Sequence, residues 1–432
     1  MIIDPIAVTL LFGGFAVLLL LRVPVALALV MSSIASALWL AIPLAVVGQK
    51  MMQGLNSFPL LAIPFFILAG EVMATGGVAR RLIDLANVVV GWFRGGLAML
   101  NVVSSTFFGG ISGSAVADTS SIGSVMMPMM RKQGYPDYYS VGVTVSSAAQ
   151  GVLIPPSHNM IIFALAAGGT VSIGGVFMAG VVPGLLIGLL LLATCYVMAR
   201  KHNHPKGETI TMRQIPRIVL QGMLGLLTPV IIIGGILSGV FTATESAAIA
   251  CVWAFVITFG VYREVPLRAF VGMLRRTMRT LGTVLFLIAA AGAYGYLLTV
   301  MRLPTMLTEA LLDISDNPIV ILLLCNVLLL GLGAIMDMAP LILITTPILL
   351  PVVTSLGMEP MQFGVMLMLN LAIGLITPPV GSVLFVGSAI GGIKIEEAVK
   401  GVLPFYVPMV GALLLVTFVP AISLTLPQML GF

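Results

Sequence analysis

The stretch that decides the fold is GGISGSAVADTSSIGS, from Gly109 to Ser124. It concentrates glycines, hydroxyls and one carboxylate, Asp118, inside a chain of 432 residues that is 59% hydrophobic and only 8% charged. Exposed backbone polar groups and an ionisable side chain persist at membrane depth only where protein or a watery cavity satisfies them. A functional site is therefore the default reading, with Gly110 to Ser114 as the tip of a re-entrant hairpin. The plain alternative is that small residues merely let helices pack closely in lipid.

Working outward, the composition excludes a soluble domain, which carries about a quarter charged residues. Mean hydropathy is +1.18. Runs such as Val176–Val197, Val219–Val240 and Val402–Leu424 reach the roughly 20 apolar residues of a spanning helix. The first apolar run follows Asp4 rather than a basic segment, so it reads as a helix of the mature protein. Cys195, Cys251 and Cys325 lie in apolar runs at unrelated spacings and read as buried hydrophobes. His202 and His204 fall in a polar loop, where solvent exposure is expected.

Punctuation divides the chain into helices over about 5–21, 23–47 and 55–77, then an amphipathic surface helix over 78–93. A hairpin follows over 95–133 with basic residues at both ends, then a long span over 138–170 broken at Pro155 and Pro156, and a helix over 173–198. After the hydrophilic loop 200–217 come helices over 218–240 and 243–262, a basic connector over 263–279, and a helix ending near Met301. An acidic surface helix over 303–317, with Glu309, Asp313 and Asp316, leads to a second hairpin over 318–358. A span over 362–391 is broken at Pro378 and Pro379, and a last helix covers 399–424.

The strongest signal is an internal repeat. An ungapped offset of 223 residues superposes Gly110 on Gly333, Pro128 on Pro351, Gly151 on Gly374 and the pair Pro155–Pro156 on Pro378–Pro379. Backbone-special residues recurring at one offset mean two related halves. Lysine and arginine placement, which tracks the cytoplasmic side, gives their relative orientation. With both hairpins re-entrant, 18 of the 20 basic residues fall inside, leaving Lys50 and Arg302 outside. The net charge of +5 is thus read as orientation rather than nucleic-acid binding. The expected fold is an all-α polytopic membrane protein of two inverted-topology repeats, each with a re-entrant helical hairpin and a discontinuous helix. Its parts are scaffold helices with a surface arm (1–94), hairpin and broken helix (95–199), the cytoplasmic loop (200–217), a second scaffold and arm (218–317), and a second hairpin and broken helix (318–432).

Broken helices expose carbonyls at one stub and amides at the other. Carbonyls and hydroxyls are hard ligands suited to sodium, and helix amino ends favour an anion. One cation site is expected from Ser112, Gly113, Ser114, Asp118, Pro155, Ser157 and Asn159, and a second from Gly333, Asp337, Thr377, Pro378 and Ser382. An anion would lie between them. Asp118 and Asp337 could equally be capping residues, and Glu71 and Glu245 members of a polar scaffold network or of a subunit contact. His158 reads as an orienting partner. Gly110-x-Ser112-Gly113 with His158 also permits a serine protease dyad, but such a motif is cheap among 47 glycines and a protease needs no second copy. A passive channel fits two occluded sites less well than alternating access does.

The run Phe108–Asp118 (FGGISGSAVAD), Gly151–Ser157 (GVLIPPS) and Gly374–Pro379 (GLITPP) resemble the large membrane subunit of tripartite ATP-independent periplasmic (TRAP) transporters along essentially the whole chain. The resemblance implies a sodium-driven elevator in a bacterial inner membrane, carrying an organic acid such as a C4-dicarboxylate, sialic acid or another sugar acid. It implies two partners, a small four-helix membrane subunit and a periplasmic substrate-binding protein. The residues alone point to a self-sufficient sodium/carboxylate symporter. No nucleotide-binding loop Gly-x-x-x-x-Gly-Lys-Ser/Thr occurs.

Overall fold

The computed structural model describes residues 4–205, 210–315 and 317–432. Among them every regular element is helical, and seven helices are long and apolar enough to cross a membrane. The first half runs α1 (Pro5–Leu20), α2 (Val25–Trp39), α3 (Leu44–Leu55) and α4 (Phe58–Thr75), then α5 (Val78–Val90). The first helical hairpin is α6 (Gly96–Ser112) and α7 (Ala115–Lys132). The first broken helix consists of α8 (Asp137–Gly151) and α9 (His158–Ala166), followed by α10 (Ile173–Lys201). The second half repeats the order: α11 (Ile215–Leu237), α12 (Ala243–Tyr262), α13 (Leu267–Val300) and α14 (Leu303–Ile314). Its hairpin is α15 (Pro318–Gly333) and α16 (Met338–Ser355), its broken helix α17 (Pro360–Gly374) and α18 (Ser382–Gly391). The chain closes with α19 (Ile395–Phe418) and α20 (Pro420–Met429).

Several expectations change in detail. The helix expected over 23–47 is two, because Ala41 takes a left-handed backbone (φ 55°) and Pro43 cannot continue α2. The last helix bends at Val419, where φ is −120°, before Pro420 starts α20. The first tip is confined to Gly113 and Ser114, since Gly110 is still inside α6. Asp316 and the Asp313 side chain lie outside the described residues.

His204 is not solvated: it is 7% exposed, its ring 4.6 Å from that of Tyr135 and 5.0 Å from that of Tyr139. The Gly95 N–H donates to the Pro205 carbonyl at 3.0 Å, folding this segment onto the base of the first hairpin. Burial and the neighbouring His202 hold the His204 imidazole below its usual pKa. Glu245 closes a capping box with Thr242 at the start of α12 rather than joining a network. Glu71 of α4 does pair with Arg276 of α13 (2.5 Å), and Arg81 of α5 pairs with Glu264 (2.7 Å) while lying over the Tyr262 ring. These contacts bind the α4–α5 arm to the α12–α13 arm.

The helices that face the core differ from those that face outward. Most of α16 is buried, whereas α11 buries only Gly222, Gly225, Thr228 and Ile232. In the broken helices α8 and α17 are buried along nearly their whole length, whereas the hairpin arm α15 leaves Ile319, Val320, Leu323, Leu324, Val327 and Leu328 exposed.

Candidate functional site

Each hairpin meets its broken helix through glycines. A methyl group on Gly109 would lie 2.5 Å from Gly151 Cα, and one on Gly374 would lie 2.5 Å from the Gly333 carbonyl carbon. No side chain fits at either crossing, so the backbones of α6 and α8, and of α15 and α17, touch directly. Gly151 and Gly374, related by the 223 offset, serve the same crossing in each half, whereas their hairpin partners Gly109 and Gly333 differ by one position, Gly110 being the offset match of Gly333.

Buried polar pairs then fix each crossing. In the first half the Asn101 amide donates to Thr144 (2.6 Å), Thr106 to Gln150 (3.1 Å), and Gln150 to the Gly184 carbonyl (2.9 Å). In the second, the Asn370 amide donates to Asn326 (2.7 Å) and the Asn326 amide to Thr417 (3.2 Å). Gln362 donates to the Val416 and Thr417 carbonyls, both at 3.0 Å. Buried polar groups left unpaired would cost about 1–3 kcal/mol each, so Asn101–Thr144, Thr106–Gln150 and Asn326–Asn370 set the register of hairpin on broken helix, and the remaining bonds tie these elements to α10 and α19.

The crossings deliver each tip to a helix break. In the first half Gly113 has φ 59°, a conformation glycine adopts freely. A methyl there would lie 3.1 Å from Ser157 Cα and 3.2 Å from the His158 N and Nδ1 atoms. The Pro155 carbonyl oxygen lies 3.2 Å from where a Gly110 methyl would stand. Ser114 caps α7 by accepting from the Ala117 N–H at 3.3 Å, and Ser112 accepts from the Ser114 N–H at 3.4 Å. The Ser157 Oγ, by contrast, is buried and has no hydrogen-bond partner among the described residues. In the second half the Ala334 carbonyl accepts from the Val380 N–H (3.0 Å) and the Gly381 N–H (3.3 Å). Thr377 bonds back to the Ile373 carbonyl at 2.7 Å, while the buried Ser382 Oγ is unpartnered among the described residues. The peptide bonds within both proline pairs are cis.

Ser112, Gly113, Pro155 and Ser157 thus come together at one junction, and Gly333, Thr377, Pro378 and Ser382 gather around the other. Asn159 reaches across: its amide donates to the Met338 sulfur at 3.5 Å, joining the first break to the second hairpin. Asp118 lies one turn beyond the first tip, 1% exposed. Its Oδ1 accepts from Ser105 at 3.1 Å, and its Oδ2 faces Gly151 with no partner among the described residues. Asp337 precedes α16 without capping it through its side chain, and lines a cavity with Arg279 of α13.

A reciprocal exchange ties the halves together. Stub α9 of the first broken helix packs on α16 of the second hairpin, while stub α18 of the second packs on α7 of the first. Sequence reasoning missed three elements of this arrangement. Ala334 acts through its carbonyl and leaves no side-chain signature. Gly70 of α4 brings the scaffold within 3.4 Å of Ser112 Cα, measured from a hypothetical methyl. Ser105, on the far arm of the hairpin, could have been found as the hydroxyl nearest Asp118 across an antiparallel pair.

Comparison with known proteins follows the same lines. Residues 12–422 match the family described as "Tripartite ATP-independent periplasmic transporter, DctM component". The chain is 38% identical over 411 residues to the 2,3-diketo-L-gulonate TRAP transporter large permease protein YiaN of Escherichia coli, covering 95% of each. It is 39% identical over 386 residues to the sialic acid TRAP transporter large permease protein SiaM of Vibrio cholerae, covering 89% of this chain and 90% of that one. Among solved structures, the YdaH transporter of Alcanivorax borkumensis superposes with a TM-score of 0.60 at 16% identity, over 87% of this chain and 88% of that one. That likeness concerns the fold.

Proposed function

The chain belongs to the DctM family of TRAP transporter large permeases, and from that premise we propose that it takes up an organic acid across the inner membrane, driven by sodium. It is a membrane permease and not an enzyme, so the serine–histidine dyad reading falls away. The substrate class is a C4-dicarboxylate, sialic acid or another sugar acid, in keeping with relatives named for sialic acid and diketogulonate. The partners are a small four-helix membrane subunit and a periplasmic binding protein that delivers the acid.

The observation that carries this reading is the paired tip-to-break junction, with α9 and α18 exchanged between the halves. Two inverted repeats, one hairpin entering from each face, account for that reciprocity. The arms of 17 residues in α6 and 16 in α15 extend about 26 and 24 Å at 1.5 Å per residue. Both are short of the roughly 30 Å hydrocarbon core, as re-entrant hairpins would be. Sodium, as cargo, is assigned to the two junctions. The first offers Ser112, Gly113, Ser114, Pro155, Ser157 and Asn159, backed by the buried carboxyl group of Asp118. The second offers Gly333, Thr377, Pro378 and Ser382, with Asp337 at its tip. The partnerless Ser157 and Ser382 hydroxyls are hard oxygens of the kind such a cation takes. The acid would lie between the sites, facing the amino ends of α9 and α18. Hairpins and broken helices would slide as one body against the α4–α5 and α12–α13 arms, an elevator.

The test is uptake of labelled organic acids into proteoliposomes under an imposed sodium gradient, first with this chain alone and then with both partners. Uptake only in the complete system, and only with sodium, is expected. Uptake by the chain alone would instead make it an autonomous symporter. Uptake indifferent to sodium would overturn the coupling.

A further inference from the structure

We propose that the cavity between the amino end of α2, the middle of α13 and the second hairpin tip binds a zwitterionic aminophospholipid, its phosphate on Arg279 and its ammonium on Asp337. The cavity measures about 730 Å³, within the range of roughly 300–1,000 Å³ that holds small molecules. That is room for a headgroup and the upper part of its chains. Val25, Leu27, Phe286 and Leu287 give it a mainly apolar wall, and Arg279 and Asp337 are its two charged lining residues, of opposite sign. Among the described residues neither charge is engaged in a salt bridge. A cation and an anion flanking an apolar groove match a ligand that carries both charges and two hydrocarbon chains.

An organic acid matches less well. Asp337 would repel its carboxylate, and the apolar wall would go unused. The depth is also that of a headgroup, on the orientation proposed above. Beyond Arg279, α13 has 21 residues to Val300, about 31 Å of helix, enough to cross the roughly 30 Å hydrocarbon core. Arg268, Arg275, Arg276 and Arg279 all precede that stretch, so Arg279 marks its cytoplasmic edge. The 16-residue arm α15 brings Asp337 to within several ångströms of the same level. The lipid would then wedge between the scaffold and the hairpin that moves against it.

Native mass spectrometry of the purified full chain tests this, with equal amounts of phosphatidylethanolamine, phosphatidylcholine and phosphatidylglycerol added. It needs neither sodium nor transport, so its result is separable from the fate of the sodium-uptake reading. The wild type should retain phosphatidylethanolamine preferentially. Arg279→Ala should lower retention about fivefold, the factor expected of one basic residue at a lipid surface. Asp337→Asn should abolish the preference over phosphatidylglycerol. Gly282 lines the cavity, and a methyl placed on it would meet nothing within 4 Å, so Gly282→Phe should fill the space and remove the lipid with both charges intact. Equal retention of the three lipids by the wild type would overturn the proposal, as would unchanged retention in both Arg279→Ala and Gly282→Phe. Displacement of the lipid by added sialic acid would also overturn it, making the cavity a vestibule for the acid.

Discussion

Adding one methyl group at a glycine crossing should cost more than its size suggests. At Gly109 the new carbon would lie 2.5 Å from Gly151 Cα and 2.7 Å from its carbonyl carbon, where ordinary contact begins at 3.4 Å. The shortfall is about 0.9 Å, and the obstacle is main chain, which cannot rotate aside as a side chain would. Gly374→Ala meets the same obstacle in the other half, 2.5 Å from the Gly333 carbonyl carbon and 2.6 Å from its Cα. Overpacking of this kind costs about 1–3 kcal/mol. Replacing a helical glycine by alanine returns about 0.5–1 kcal/mol of backbone entropy, leaving a net loss centred on about 1 kcal/mol. Gly331→Ala is the control, because nothing lies within 4 Å of its methyl and only the entropic gain remains. Thermal unfolding of the purified variants in one detergent should rank Gly331→Ala at or above wild type, with Gly109→Ala and Gly374→Ala together below it. If all three alanine variants melt alike, direct backbone contact at the crossings is not what holds the hairpins.

Three further outcomes follow from the same geometry. Ser157→Ala should raise the sodium concentration for half-maximal uptake about five- to tenfold, the worth of one hydroxyl ligand at about 1–1.5 kcal/mol, and Ser112→Ala should raise it too; unchanged sodium activation in both would remove the first junction as a site. Cysteine placed at Asn159 or at Ser382 should be labelled from opposite membrane faces in different states; labelling of both from a single face would refute inverted repeats. His204 is held neutral by burial, its folded pKa below the unfolded value of about 6.5, so docking of residues 200–205 is at full strength above that value and weakens as pH falls below it. Protection of the amides over 200–205, taken relative to the intrinsic exchange rate at each pH, should fall from pH 7 to pH 5 and lose that dependence in His204→Phe; pH-independent protection in the wild type would show that the imidazole is not buried in solution.

Much of this architecture is legible in the sequence because it depends on residues with few alternatives. Proline pairs at a fixed offset mark both breaks, and Gly151 and Gly374 at the same offset mark both crossings. The features that sequence does not announce act through groups that every residue carries or through distant packing. The Ala334 carbonyl docks the second break, yet nothing in an alanine signals it. His204 looks like any loop histidine until the chain folds Tyr135 and Tyr139 over it. Pro43 is a readable signal that divides the second helix, since proline excludes the preceding residue from helical backbone. The two aspartates stand out by chemistry, but their surroundings differ: Asp118 is enclosed by α6 and α8, whereas Asp337 faces the α13 cavity.

The distance along the chain between a tip and its break also sets a schedule for synthesis. Gly113 leaves the ribosome 44 residues ahead of Ser157, and Ala334 46 residues ahead of Val380. At about 5–20 residues per second, each tip waits roughly 2–9 s for the backbone it will dock against. During that interval a polar loop must be shielded from lipid by water or by the insertion machinery. The exchange of α9 and α18 delays completion further: the first break packs against a hairpin that does not exist until the second half has been made. The first half can therefore enter the membrane on its own but can finish folding only as a template for the second.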